Sequence, residues 1–278
     1  YLFAYDLKTR ALKTGRPNPI AIPRRKGITN MGLSGLALDA KGLVYAVDMN
    51  GRVVRVNPLS GEVKDYSLFL TSDTAPQDSM PLDMAFDAQG YAYVTDIAGL
   101  PLLYRIPPGG GMGENWFVDQ RLIGPYSQGG GGIRLDPTGK FLYVGINASL
   151  HPDYEGHGLI FKIPLADPAA MTVFSQFESA VEATPLGAGP LGITVGKSGK
   201  LYVALPGTNQ VKVLKPDGTE EQRFTLQHST QFVALTDSGS LIVSTWGDVS
   251  AGPWPIYDIF VNDTPLPLAR PLLPDAAP

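Results

Sequence analysis

The densest set of reactive side chains in this sequence lies between residues 151 and 157, which read His-Pro-Asp-Tyr-Glu-Gly-His. Alternate residues of an extended chain face the same side, so His151, Asp153, Glu155 and His157 would share one face. Imidazole and carboxylate groups so placed can transfer protons or bind a transition metal. The competing interpretation is a solvated loop that covers a cavity. We take His151, Glu155 and His157 as candidate catalytic residues and leave both interpretations open.

Carboxylates also stand at the ends of two predicted strands. Asp48 and Asp96 close the second strands of neighbouring repeats, and Asn147 stands near the equivalent place in the next repeat. Two carboxylates in one concave mouth can divide into an acid and a base. The alternative is that each Asp accepts backbone hydrogen bonds in the turn that follows its strand. We take both aspartates as candidate catalytic residues and Asn147 as a candidate substrate-binding residue.

An internal repeat predicts the scaffold for these residues. Five segments share an alternating apolar strand, a turn with a late glycine, and a second strand rich in Val, Tyr and Leu. The turn glycines are separated by 48, 49, 60 and 40 residues, and they are Gly42, Gly90, Gly139, Gly199 and Gly239. This spacing is the size of a four-stranded blade, and period-two alternation between turns indicates antiparallel hairpins. The sequence therefore predicts an all-β fold, a six-bladed β-propeller of four-stranded blades.

We expect one domain over residues 1–278, with five full repeats from about 28 to 278 and a partial blade over 1–27. Segment 1–9 resembles a third strand and 18–23 a fourth, so the inner strands of a sixth blade would lie upstream of Tyr1, in roughly 20 or more residues. At the other end, 256–261 and 265–273 are predicted as the third and fourth strands of the last blade.

The composition of the chain argues against two classes of partner, nucleic acids and membranes. The net charge is −4 and the sequence has no long basic run, so nucleic acid is not expected as a partner. It contains no cysteine, and no apolar stretch is long enough for a spanning helix, so we expect no membrane partner. A mature secreted or periplasmic protein and a monomer are predicted.

Aromatic and amide side chains suggest a small-molecule site. Tyr126 and Trp246 fall close to predicted strand ends, where they could line a pocket, although aromatic residues also pack between blades. Gln231 stands at the start of an inner strand and could orient a ligand by hydrogen bonds or satisfy backbone groups. We take all three as candidate substrate-binding residues for a ligand in the central channel.

The repeat cores resemble a known family. Segments 132–144, 192–195 and 215–218, the last reading Lys-Pro-Asp-Gly, look like the SMP-30/gluconolactonase-like propellers and their NHL-repeat relatives. That resemblance implies a propeller fold and lactone hydrolysis assisted by a divalent metal at the mouth of the channel. Family members hold the metal through a Glu in the first blade and through Asn or Asp just before the inner strands of later blades.

The positions that this resemblance assigns to the metal ligands carry no acid here. Counting eight residues back from each turn glycine gives Ser34, Leu82, Gly131, Leu191 and Gln231. A hard cation prefers several oxygen ligands, so no cofactor is predicted and a site for a metal such as Ca²⁺ is disfavoured. Ser34 remains a candidate substrate-binding residue. Asp83 is a candidate catalytic residue because it follows Leu82 directly. It would take the ligand position of Leu82 if the alignment of the repeats were displaced by one residue.

Three functions fit the sequence. The first is a divergent lactone or ester hydrolase with a remodelled, metal-free mouth. The second is a non-catalytic propeller that binds a small molecule or a protein, and it predicts a mouth lined by Leu82, Leu191 and aromatic residues. The third is a lyase or isomerase of secondary metabolism. Fold transfers between such proteins more readily than activity does, so whether the chain is an enzyme stays open here.

Overall fold

The computed structural model describes residues 1–24, 32–69, 79–125, 129–178, 189–246, 255–266 and 270–273. These residues form β-sheets joined by turns, and the helical elements among them are 3-10 turns of three residues each. The 3-10 turns are Gln120–Leu122, Pro152–Tyr154, Pro168–Ala170 and Pro206–Thr208. The prediction of an all-β propeller is confirmed.

The first three blades are antiparallel sheets whose strands follow one another from the axis outward. Blade one contains β3 (Leu33–Leu38), β4 (Val44–Asp48), β5 (Arg52–Val56) and β6 (Val63–Leu68). Blade two contains β7 (Pro81–Phe86), β8 (Ala92–Asp96), β9 (Leu102–Ile106) and β11 (Glu114–Val118), and the short β10 (Gly111–Met112) between them pairs in parallel with β6. Blade three contains β12 (Gly130–Leu135), β13 (Phe141–Ile146), β14 (Leu159–Pro164) and β15 (Thr172–Gln176).

The last two blades differ in strand number. Blade four contains β16 (Gly192–Val195), β17 (Leu201–Leu205), β18 (Gln210–Leu214) and β19 (Glu220–Thr225). Blade five contains β20 (Ser229–Leu235), β21 (Ser240–Trp246) and β22 (Tyr257–Phe260). The inner strands pack against one another in the order β3, β7, β12, β16, β20. They line a channel whose loop end is where these strands begin and whose turn end is where they finish.

The prediction of six blades is wrong, because the described residues build five. Segment 1–24 forms only the hairpin β1 (Tyr5–Asp6) and β2 (Ala11–Leu12), together with a bridge between Leu2 and Ile20. Ile20 packs on the apolar side chains of blade one. Strands of two residues pair too briefly to form a blade, so this segment covers blade one instead of providing the predicted partial blade.

The C-terminal segment also departs from the prediction. Strand β22 is the expected third strand of blade five, but the residues described between 263 and 273 do not add a fourth strand to that sheet. Pro265 instead forms a bridge with Gly196 of blade four, and Leu273 is buried in the core between blades one and two. The segment therefore runs across the turn end of the propeller.

A repeated carboxylate fixes the turns after the inner strands. Asp39 accepts hydrogen bonds from the Leu43 N–H at 2.9 Å and the Tyr45 hydroxyl at 3.1 Å, and blade two repeats the pattern with Asp87 and Tyr93. Burial, followed by the neighbouring aspartate, raises the pKa of both tyrosines. The turn glycines, listed above, all have positive φ, a conformation that glycine adopts without steric cost.

Blade four lacks this aspartate and receives a carboxylate from the C-terminal segment. Gly196 stands at the position of Asp39, and the Asp263 carboxylate lies against it, where a side chain on residue 196 would collide with it. Asp263 accepts hydrogen bonds from the Ser198 hydroxyl and, at 3.0 Å, from the Tyr202 hydroxyl. The turn thus keeps its carboxylate, supplied by a residue 65 positions away from Ser198.

Within the described part of the chain, no helix is long and apolar enough to cross a membrane.

Candidate functional site

The loop end of the channel is apolar. The five positions counted back from the turn glycines are called the ring positions below. Two of them, Leu82 and Leu191, are only 3% and 6% exposed and form a cluster with Met80 and Ile97. Partly buried side chains that complete the cluster are Met49, Ala98 and Phe232. Burial of apolar area stabilises this packing by about 25 cal/mol per Å². The ring positions therefore close the mouth with hydrocarbon where the family resemblance implies metal ligands.

The other three ring positions, Ser34, Gly131 and Gln231, have no charged side chain. The Ser34 hydroxyl lies 3.5 Å from the carbonyl oxygens of Val47 and Pro81, and Gln231 donates from Nε2 to the Ser229 hydroxyl at 3.0 Å. Gly131 lies so close to the Pro190 carbonyl that a side chain there would overlap it.

The implied divalent metal does not fit this donor set. Leucine and glycine side chains offer no oxygen, while Ser34 and Gln231 are neutral. Among the described residues, no group of three or more His, Asp or Glu side chains is placed to hold a metal ion. A Ca²⁺ site needs about six to eight oxygen ligands, so these residues give no basis for a metal-dependent step.

Asp48 belongs to a buried ion-pair network at the loop end. Its Oδ1 accepts hydrogen bonds from the backbone and side-chain nitrogens of Asn50, and its Oδ2 lies 2.7 Å from Arg52 Nε. Arg52 also donates from Nη1 to Asp65 at 2.7 Å and from Nη2 to the Pro23 carbonyl. Both oxygens of Asp48 are thus engaged in holding blade one to the preceding segment.

Asp96 holds the chain that enters blade two. Its Oδ2 accepts hydrogen bonds from the Ser79 hydroxyl at 2.8 Å and from Met80 N–H at 2.9 Å, and its Oδ1 accepts one from Ala98 N–H at 2.7 Å. Burial raises the pKa of this carboxyl, and the hydrogen bonds oppose that effect. This geometry matches the turn interpretation of the aspartates, and no hydrogen bond between described residues joins Asp48 to Asp96.

Asp83 lies in the middle of β7 with no exposed side-chain area. Its Oδ1 accepts from the adjacent Met84 N–H at 2.9 Å, and its Oδ2 accepts from Ile133 N–H at 3.2 Å and Arg134 Nη1 at 2.6 Å. Burial raises the pKa of Asp83, and the charge of Arg134 is the largest opposing influence. The carboxylate occupies the space beside Gly35, where a further side chain would collide with it.

Asn147 is the loop-end residue with an unused polar atom. Its side chain is buried, and Nδ2 reaches only the Gly189 carbonyl at 3.4 Å, while Oδ1 accepts no hydrogen bond from a described residue. The Asn147 N–H bonds to the Gly129 carbonyl, and Gly129 N–H bonds to the carbonyl of Ile97. These backbone hydrogen bonds connect Asn147 through Gly129 to Ile97 of the apolar cluster.

The 151–157 segment forms a loop around the 3-10 turn Pro152–Tyr154. His151 accepts from Asp153 N–H at 3.3 Å through Nδ1, while Glu155 is exposed and has no described partner. His157 Nδ1 lies 2.8 Å from the Phe177 carbonyl. A carbonyl only accepts, so in the neutral ring Nδ1 carries the hydrogen and Nε2 holds the free lone pair.

Of the two predicted aromatic residues, the structure describes only Trp246. Trp246 ends β21 in blade five and is 41% exposed, and Tyr126 lies outside the described residues. The assignment of these residues to a substrate site stays a prediction, as do the catalytic roles of the candidates above.

Sequence reasoning did not identify Arg134 or Arg52, the two arginines that pair with buried carboxylates. The signal for Arg134 was its alternation with Gly132 in β12, which places both residues on the same face of the strand. Its partner Asp83 is 51 residues away, so only the assembled ring shows the pair.

Comparison with known proteins places this geometry among solved propellers. No family profile and no curated protein sequence matches the chain. By shape it is similar to a gluconolactonase from Xanthomonas campestris, with 16% identity over 77% of this chain and 69% of the other, and a TM-score of 0.56. It is similar to virginiamycin B lyase from Staphylococcus aureus, with 16% identity, coverage of 84% and 85%, and a TM-score of 0.53. A third structure, a nidogen/laminin complex, gives 20% identity, coverage of 77% and 72%, and a TM-score of 0.56.

The resemblance to gluconolactonase-like propellers seen in the repeat cores is thus confirmed at the level of the fold. The three neighbours are a gluconolactonase, a lyase and a protein complex, and sequence identity at this level carries no residue roles. The chain is a β-propeller of the architecture shared by gluconolactonase and virginiamycin B lyase.

Proposed function

We propose that this chain binds a small, mainly apolar molecule at the loop end of its channel and does not hydrolyse it by a metal-assisted route. The observation that carries this proposal is the cluster of Leu82 and Leu191 with Met80 and Ile97 at the channel mouth. Two of these side chains replace oxygen ligands with hydrocarbon, which favours apolar ligands and excludes hard cations.

The carboxylates near the mouth support binding over acid–base chemistry. Asp48 and Asp96 each use both oxygens to hold surrounding loops, so neither presents a free oxygen to a substrate. Asn147 Oδ1 differs, because it is buried without a donor from the described residues. An unpaired buried acceptor costs about 1–3 kcal/mol, so a ligand that donates a hydroxyl or amide hydrogen there would be favoured.

A metal-free hydrolase or lyase is the second candidate, and one observation favours it. The Phe177 carbonyl fixes the tautomer of His157 with Nε2 as the basic nitrogen. A general base needs this arrangement, in which one ring nitrogen is anchored and the other can accept a proton. Similar folds include a lactonase and a lyase, so lactones, esters and elimination substrates are the classes to assay.

Binding at the mouth can be tested with the neutral fluorescent probe N-phenyl-1-naphthylamine. We expect saturable binding to the full chain and at least tenfold weaker binding to Leu191→Asn, because a polar amide in the cluster removes apolar contact area. The matched control is Leu59→Asn, since Leu59 is 71% exposed in a turn of blade one. Thermal unfolding of each variant shows whether it is folded, and Leu191→Ala provides a milder variant. Equal binding by the parent and a folded Leu191 variant would refute the proposed site.

Hydrolysis separates the two candidates. The binding proposal predicts no turnover of γ-lactones or aryl esters by the full chain, with or without a chelator. Chelator-sensitive turnover with stoichiometric metal would overturn it. Chelator-resistant turnover that is lost in His157→Gln would also overturn it and establish the second candidate.

A further inference from the structure

A cavity of about 350 Å³ lies at the turn end of the channel, away from the mouth described above. It is bounded by the later halves of β3, β7, β12 and β16, together with Leu266 from the C-terminal segment. Its volume falls within the range of small-molecule sites, about 300–1,000 Å³.

The strands approach one another closely on the loop side of this cavity. Side chains on Gly132 and Gly192 would collide with the backbone of the next inner strand, and a side chain on Gly35 would collide with Asp83. These three glycines and Asp83 occupy equivalent positions in their strands, by the register of the first two strands of each blade. Neighbouring inner strands are therefore closely packed at this level, which lies on the loop side of the turn-end cavity.

Small residues create the cavity and a single cation enters it. Two residues closer to the turn, the equivalent positions that line the cavity hold Ala37, Ala85, Arg134 and Thr194. Arg134 is the only charged member of this set, and its side chain is 18% exposed. Alanine and threonine leave the space that a bulkier residue would fill, so the guanidinium has room beside it.

The guanidinium of Arg134 is only partly used by the protein. Nη1 donates to Asp83 Oδ2 and to the Ile133 carbonyl, each at 2.6 Å. Nε and Nη2 donate no hydrogen bond to any residue that the structure describes. These two nitrogens form the edge that binds a carboxylate through two parallel hydrogen bonds.

Other acids around the cavity do not compete for that edge. Asp136 also lines the cavity, but its oxygens accept hydrogen bonds from Lys140 N–H, Phe141 N–H and the Thr138 hydroxyl. The rest of the wall is mainly hydrocarbon, from Leu38, Met84, Phe86, Leu135, Val195 and Leu266. A ligand matched to this wall has an apolar body and one anionic group.

We infer that the turn end of the channel is a second binding site, which takes a small monocarboxylate with an apolar body. The carboxylate binds the Nε and Nη2 edge of Arg134, and the body lies against Met84, Phe86 and Leu135. Asp83 holds Nη1 and so fixes the plane of the guanidinium. This site does not depend on the proposed function at the loop end, because it is lined by the later halves of the inner strands, whereas Leu82 and Leu191 lie where those strands begin.

Calorimetric titration of the full chain with three probes tests the site. 4-Phenylbutyrate has both features, 4-phenylbutanol has the same body without the carboxylate, and acetate has the carboxylate without the body. We expect saturable binding of 4-phenylbutyrate, with the alcohol and acetate at least tenfold weaker. Equal affinity for the alcohol and the acid would refute the role of Arg134.

Variants locate the bound acid. Arg134→Lys keeps the charge near Asp83 but loses the planar fork, and Arg134→Gln loses both, so affinity should fall in that order by tenfold or more. Ala37→Leu fills the cavity without altering the guanidinium and should also abolish binding. Arg223→Gln, on an exposed outer strand, and Leu59→Asn, in an exposed turn of blade one, should bind as the parent does. Unchanged affinity in a folded Arg134→Gln or Ala37→Leu variant would overturn the inference.

Discussion

Arg52 and Arg134 are two arginines paired with buried aspartates at opposite levels of the propeller. Arg52 uses Nε for Asp48, Nη1 for Asp65 and Nη2 for the Pro23 carbonyl. Arg134 uses Nη1 alone and turns its remaining edge away from described partners, beside a cavity. Both ion pairs are buried, but they differ in the number of unused donors. Arg52 uses all three nitrogens to hold the fold, whereas Arg134 keeps two that can bind a ligand.

The same contrast applies to the carboxylates. Asp48 and Asp96 at the loop end are surrounded by donors from their own loops, as expected of strand-end aspartates. Asp83 reaches across to the inner strand of the next blade and orders both Ile133 and Arg134. The loop-end aspartates therefore bind donors of their own loops, whereas Asp83 positions the guanidinium of Arg134 from the next blade.

The largest effect should follow from removing the fully used guanidinium. Arg52→Met leaves Asp48 buried without its cation and loses the links to Asp65 and Pro23. We expect the free energy of unfolding to fall by about 3–5 kcal/mol. Urea denaturation measures this change, with Arg223→Met as the exposed control. A loss smaller than that of Arg134→Met would break the comparison.

Arg134→Gln should destabilise the protein less, by about 2 kcal/mol near neutral pH. Burial already raises the pKa of Asp83, and loss of the Arg134 charge raises it further. A carboxyl whose pKa is higher in the folded state than in the unfolded state lowers the stability as the pH rises from the unfolded-state pKa through the folded-state pKa. The deficit of the variant should therefore grow with pH and shrink in acid.

Parallel urea titrations of the parent and the Arg134→Gln variant from about pH 4 to about pH 8 test this linkage. A deficit that stays constant over the whole range would show that Asp83 does not respond to Arg134.

The smallest effect is expected at Asn147. Because its Oδ1 has no described donor, Asn147→Ala removes an unsatisfied acceptor, and the unfolding free energy should change by less than about 1 kcal/mol. Probes that carry a hydroxyl group should lose affinity at the loop end, whereas N-phenyl-1-naphthylamine should lose little. Loss of the partner of a buried polar group costs about 1–3 kcal/mol. A loss of stability above about 2 kcal/mol in Asn147→Ala would therefore mean that Asn147 has a structural role.

Local signals in the sequence predicted much of the scaffold. The turn glycines and period-two alternation placed the first two strands of every blade, because both depend on residues within a few positions of one another. Alternation alone also suggested strands over 1–9 and 265–273, but the described residues of these segments instead contact blade one and the turn end. Alternation cannot report which sheet, if any, will accept a segment.

The contacts that define the candidate sites are long-range. Asp263 replaces the aspartate missing at Gly196, and Asp83 meets Arg134 across a blade boundary. The ring positions were the exception, because counting back from the turn glycines located Leu82 and Leu191 where the structure shows the apolar mouth. Repeat register therefore predicted the mouth, while the pairing that shapes the turn-end cavity required the folded ring.

The most direct test is a ¹H–¹⁵N spectrum of the arginine Nε–H groups recorded while 4-phenylbutyrate is added to the full chain. The two guanidinium groups report separately, since Arg52 and Arg134 give distinct signals that single substitutions assign. We predict that the Arg134 Nε–H signal shifts and saturates with the acid while the Arg52 signal stays in place. Binding of the acid with no change at Arg134 would contradict the assignment of its open edge as a carboxylate site.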